Sequence, residues 1–165
     1  MDKIEFKKLI KTIDDEFTAY EGLKILFEEK KELLKKSKSG DLVEVDNKII
    51  AQNNLIVKLN ETRKKLSMEY FNKDCSMSDY IDIIGIEDED QKEQLMLRKV
   101  KICNILDDLV LLNSQNVELL KHGITITNKM LETIVDAFAP QGSNYNGAGK
   151  TDTHDFDMWT VNEEI

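Results

Sequence analysis

A single proline and seven glycines in 165 residues leave little to interrupt long helices. Pro140 is that proline, and Gly142, Gly147 and Gly149 all follow it, so residues 140–151 mark the edge between a helical body and a differently built C-terminal segment. The two cysteines, Cys75 and Cys103, form no C-x-x-C motif and have no histidine at ligand spacing, which gives neither a zinc site nor a disulfide framework. No stretch approaches the 18 or so apolar residues of a membrane span, and MDKIEFKKLIKTIDDE alternates charged with apolar residues where a signal peptide needs an apolar run. The expectation is a cytoplasmic protein with no membrane insertion. Cations are few relative to anions: the net charge of −9 disfavours nucleic acid and anionic membrane surfaces, and Lys30 to Lys38 is the one basic block.

What is present is a chain 33% charged and 41% hydrophobic, dominated by Leu, Ile, Lys, Glu and Asn, the composition of long amphipathic helices. Phe6, Ile13, Tyr20, Phe27 and Leu34 recur every seventh residue, with Leu9 and Leu23 between them, which predicts a first helix over about 2–36 with a coiled-coil-like stripe. Gly22 costs this helix roughly 1 kcal/mol relative to alanine. KSKSGDL breaks the pattern, and Asp41 with Glu44 reads as a capping box that starts a second helix over about 41–72. Its seam is Leu42, Val45, Ile49, Gln52, Ile56, Leu59, Arg63, Leu66 and Tyr70. A short turn between two such helices makes them antiparallel. Ser78 is the candidate N-cap of a short helical turn over about 78–85.

The third long helix is expected over about 91–139. Leu95, Ile102, Ile105, Leu109, Leu112, Leu119, Ile126 and Met130 form one apolar stripe; Leu106, Val110, Val117, Leu120, Ile124, Leu131 and Phe138 form a second beside it, enough to pack against two other helices. The fold class is therefore all-α, an elongated antiparallel three-helix coiled-coil-like bundle (1–139) with a long third helix and a flexible acidic tail (140–165). The first two helices run roughly 50 Å and the third roughly 70 Å, so about 20 Å of the third lacks a partner. Ile126, Met130, Ile134 and Phe138 then need a cover, and an apolar patch of that kind marks a binding surface, unless self-association or a bend covers it.

SNYNGAGKTDTH ends like a phosphate-binding loop, Gly149, Lys150 and Thr151 matching the last letters of G-x-x-x-x-G-K-[ST]. The first glycine position is Asn144, a helix rather than a strand precedes the segment, and an acidic tail follows it, so no nucleotide site is expected. His154 with Asp152, Asp155 and Asp157 reads as a solvating cluster rather than a metal site. His122 has no carboxylate at i±4, and no nucleophile and base stand together, so nothing argues for an enzyme, a cofactor or a metal. Asn113 and Asn116 lie within the apolar surface of the third helix, where they either control packing register or contribute hydrogen bonds to a contact surface.

From Leu112 to Gly149 the sequence resembles the FlgN family of flagellar export chaperones. Asn113, Asn116, Leu119 and Leu120 match a helical N-x-x-N-x-x-L-L element, and Tyr145 with Gly147 or Gly149 matches a tyrosine and glycine after a proline break. NKIIAQNNLIVKLNETRKKL resembles that family's second helix. The resemblance implies a cytoplasmic chaperone of flagellar type III export that keeps hook-associated junction proteins from polymerising early and delivers them to the export gate. It further implies client binding through the C-terminal region, docking to the cytoplasmic domain of the gate around Tyr145, and the export ATPase complex as a further partner. On this view Ile126, Met130, Ile134 and Phe138 offer a face to client helices, and Phe156 and Trp159, set among acidic residues in HDFDMWTVNEEI, form a second amphipathic element that orders on binding. The competing expectation is a coiled-coil scaffold that self-associates through the same seams.

Overall fold

The computed structural model describes residues 3–86 and 88–138. Three long helices and one short one account for them: α1 (Lys3–Lys35), α2 (Ser39–Phe71), α3 (Met77–Ile84) and α4 (Glu89–Phe138). Among the described residues there is no strand, and no helix is long and apolar enough to cross a membrane. The all-α expectation holds, with three long helices as the periodicity indicates. Two units make up the chain, Met1–Thr125 and Ile126–Ile165.

The helix boundaries rest on caps that differ from those read in the sequence. α1 ends in a Schellman-type closure: Ser37 adopts a left-handed conformation (φ 53°), its N–H donates to the Leu34 carbonyl, and the Lys38 N–H donates to the Leu33 carbonyl. This reverses the chain early enough for α2 to start at Ser39, with Lys38 as its N-cap and no side-chain cap bond. The expected capping box at Asp41 is therefore absent. Asp41 instead lies in the first turn, where a carboxylate complements the helix dipole, and Glu44 pairs with Lys48 at 2.7 Å. Asn72, also left-handed (φ 54°), closes α2 by donating its N–H to the Met68 carbonyl.

The N-cap of α3 is Ser76, not Ser78. Its hydroxyl accepts from the Asp79 N–H at 3.2 Å, and the Asp79 carboxylate accepts from the Ser76 N–H at 2.8 Å, a reciprocal capping box. Ser78 lies inside α3, where its hydroxyl accepts from Lys99 of α4 at 2.9 Å. α4 begins two residues before the expected 91, because the Asp88 carboxylate accepts from the Gln91 N–H and from the Gln91 side-chain amide.

Within the first unit, polar pairs set the helix directions. Glu16 with Arg63 and Lys30 with Asp46 make α1 and α2 antiparallel. Asp14 with Arg98, Lys24 with Asp108 and Lys31 with Gln115 share one sequence offset of 84, so α4 runs parallel to α1 and antiparallel to α2. The core falls into two clusters. At one end α3 closes the bundle, burying Tyr80 and Ile84 among Phe6, Leu9, Ile13, Cys75 and Leu95; further along, Leu23, Val45, Ile49 and Leu109 pack together. Each such side chain contributes about 1.5–3 kcal/mol on burial, so stability concentrates at the α3 end.

Close approach of α1 and α2 depends on two small residues. Gln52 reaches across to donate to the Ala19 carbonyl at 2.8 Å, and a Cβ at Gly22 would stand 2.7 Å from the same amide nitrogen. The glycine that weakens α1 as an isolated helix thus makes room for a contact between helices.

Candidate binding surface

The first apolar stripe of α4 divides along its length. Leu95, Ile105 and Leu109 are buried and Ile102, Leu112 and Leu119 half-buried. With the offset of 84, the last residue of α1, Lys35, falls opposite Leu119. From Lys121 to Thr125, in the same unit, every residue is exposed. In the second unit, the described turns of α4 carry Ile126, Met130 and Ile134 at 45%, 61% and 50% exposure. Their spacing of four puts these three side chains on one helix face. Phe138 closes the helix, but its side chain lies outside the described residues, as do Tyr145, Phe156 and Trp159 altogether.

The two asparagines of the N-x-x-N-x-x-L-L element part company. Asn116 is 3% exposed, and its amide donates to the backbone carbonyl of Phe27 at 3.0 Å, while its side-chain oxygen is buried without a hydrogen-bond partner. It fixes α4 against α1, the register role. Asn113 is exposed, as is Leu120, while Leu119 is half-buried at the edge of the helix contact. The second stripe, expected to pack against another helix, is exposed at Leu106, Val110, Val117, Leu120, Ile124 and Leu131. Among the described residues a single α4 stripe carries the packing, and the second is exposed.

A polar junction beneath α3 escaped the sequence reading. Arg63 donates to both oxygens of Glu16 at 2.9 and 3.2 Å and to the Cys75 carbonyl at 3.3 Å. Ser67, fully buried, accepts from the Cys75 N–H and donates to the Lys73 carbonyl, which holds the α2–α3 connection. Burial pushes the Glu16 carboxyl up from its ordinary value, and the Arg63 charge only partly opposes this. Burial also acts against the Arg63 charge, but Glu16 and the neighbouring Tyr80 more than offset it and leave the guanidinium raised. Both shifts are upward, which disfavours the charged carboxylate and favours the charged guanidinium. Because arginine stays charged throughout the accessible range, the carboxyl is the group whose titration matters. Arg63 stands in the seam of the second helix and Glu16 lies seven residues from both Leu9 and Leu23, the one sequence signal that could have found this pair.

An open, largely apolar groove of about 400 Å³ runs between α3 and α4, lined by Ile81, Met96, Val100 and Cys103 with Ser78 and Lys99. Among the described residues no group of His, Cys, Asp or Glu could hold a metal ion; the His154 cluster lies outside them.

Three long helices and one short one, with exposed apolar side chains along the longest, define an all-α protein of long helices. The FlgN protein family model matches residues 1–153, nearly the whole chain, and the chain belongs to this family of flagellar export chaperones. The match continues past α4 to include Tyr145 and ends before Phe156 and Trp159. No curated protein and no solved structure gives a significant match.

Proposed function

We propose that the chain acts in the cytoplasm as an export chaperone that binds hook-associated junction proteins, prevents their premature polymerisation and delivers them to the flagellar export gate. Family membership supports the general role. The observation that carries the client surface is the exposure of Ile126, Met130 and Ile134 in consecutive turns of α4. Client helices that pair with one another in the assembled filament hide an apolar face, and a second amphipathic helix can cap that face by side-to-side packing. Phe138, Phe156 and Trp159 are further client contacts in this scheme. Tyr145 contacts the cytoplasmic domain of the gate, bringing the loaded chaperone to the export machinery and its ATPase complex. Chemistry at the surface is confined to binding: no nucleotide, metal or cofactor enters the scheme.

The test is co-purification of the full chain with each hook-associated protein, followed by native mass spectrometry. A 1:1 complex lost on Ile126→Asp supports the assignment. A client complex that forms undiminished with that variant would remove the α4 face from the role.

A further inference from the structure

The second stripe of α4 is itself a heptad seam. Leu106, Val110, Asn113, Val117, Leu120 and Ile124 alternate four and three apart, all lie in the first unit, and all are exposed, Val110 by 71%. Beside this seam, on the side away from α1, stand Asp107, Ser114 and Lys121, each seven residues from the next. Asp107 and Lys121 are both exposed and form no ion pair within the described residues. Among the seam positions and this flank, Asp107 and Lys121 are the only charges, with Glu118 one row further out.

We propose that this seam is a self-association surface on which α4 of a second copy lies antiparallel, with the two-fold axis passing beside Ser114. A two-fold interface requires the face to complement itself. In this register Leu106 meets Ile124 of the partner subunit, Val110 meets Leu120 of the partner subunit, and Asn113 meets Val117 of the partner subunit. In an antiparallel coiled coil the outer flanking positions of the two strands pair with each other, so Asp107 meets Lys121 of the partner subunit and Lys121 meets Asp107 of the partner subunit. Opposite charges equidistant from a central serine are what an antiparallel copy needs; a parallel copy would set Asp107 and Lys121 against the uncharged inner flank of Leu109, Asn116 and Gly123 and leave both unpaired. Asn113, near the axis, supplies the polar seam residue that fixes register. The paired length is about 28 Å, short for a coiled coil, so the dimer is weak and concentration-dependent. The seam lies in the first unit and the three client residues in the second, so variants at Val110 and at Ile126 test the two proposals separately.

Sedimentation equilibrium of the full chain tests it. The expected result is a monomer–dimer equilibrium with a dissociation constant of about 10 µM to 1 mM. Val110→Glu abolishes the dimer with helix content unchanged, because the side chain is exposed in the monomer. Asp107→Lys raises the dissociation constant about tenfold through two like-charge contacts, and adding Lys121→Asp restores it. A chain that stays monomeric at about 1 mM, a dimer indifferent to Val110→Glu, or a charge reversal that the second substitution fails to rescue overturns the proposal. So does a monomeric chain whose Val110→Glu variant loses a hook-associated protein, which would assign this face to the client.

Discussion

The side-chain amide of Asn116 donates to the backbone carbonyl of Phe27 across 3.0 Å, joining α4 to α1 near the end of their overlap. The bond is only half of what the amide needs, since its oxygen is buried with no partner. A polar group in that position sets register more than it adds stability. Replacing it by a leucine removes the unsatisfied atom along with the bond, so Asn116→Leu is expected to change stability by no more than about 1 kcal/mol. Asn116→Asp, which puts a carboxylate against a carbonyl oxygen, lowers it by about 3 kcal/mol. Urea midpoints of the two variants check both values. A leucine variant as damaged as the aspartate variant would make the amide a major source of stability.

Arg63 and Glu16 form the counterpart at the other end of the bundle. Removing one partner strands the other in a poorly hydrated position, so Arg63→Met costs about 3 kcal/mol, while Glu16→Leu with Arg63→Met together cost less than half of that. A double-mutant cycle on thermal or urea unfolding measures the coupling. Strictly additive losses would show that the two side chains do not depend on each other.

How much of this was legible beforehand varies with the range of the interaction. The heptads of Phe6 to Leu34 and of Leu42 to Tyr70 placed α1 and α2 and their shared seam, because amphipathic periodicity is local. The true N-caps lie three residues before Asp41, at Lys38, and two residues before Ser78, at Ser76. Several Ser and Asp residues in each stretch can cap, and the choice is made by the left-handed Ser37 and by the burial of Tyr80, neither of which shows in a window of sequence. Gly22 looked like a weakness because its reason, Gln52, lies in another helix. The two stripes of α4 were legible as apolar, but apolarity does not say what covers a face. Only the fold separates the stripe that packs on α1 from the stripe exposed at Val110, and Asn116 from Asn113.

The α3 cap brings a pH dependence whose sign follows from Asp79. Hydrogen bonds from the Ser76 hydroxyl and then the Ser76 N–H, with a smaller contribution from Lys73, hold this carboxyl below its ordinary value of 3.8. A depressed carboxyl stabilises the fold above the unfolded value, and that contribution is lost as pH falls through the folded value. Asp79→Asn is therefore expected to be less stable than the parent at pH 6, with the gap closing below pH 3.8. Glu16, raised by burial, acts in the opposite sense: its contribution is full below its ordinary value of 4.5 and is lost as pH rises through the higher folded value. Urea midpoints across this range separate the two. A gap between parent and Asp79→Asn that stays constant with pH would show that the cap does not depend on the charge.

The central claim is that the face of α4 carrying Ile126, Met130 and Ile134 is kept open for a client helix. Met130 is the most exposed of the three, so a charge there should damage binding without damaging the fold. The decisive measurement is the affinity of Met130→Asp for a hook-associated protein by isothermal titration, with thermal unfolding of the free variant alongside. The account predicts at least a tenfold loss of affinity, about 1.4 kcal/mol, with the midpoint of unfolding unchanged within about 2 °C. Undiminished affinity, or a melting temperature lowered by about 10 °C that places Met130 in a core, would contradict it.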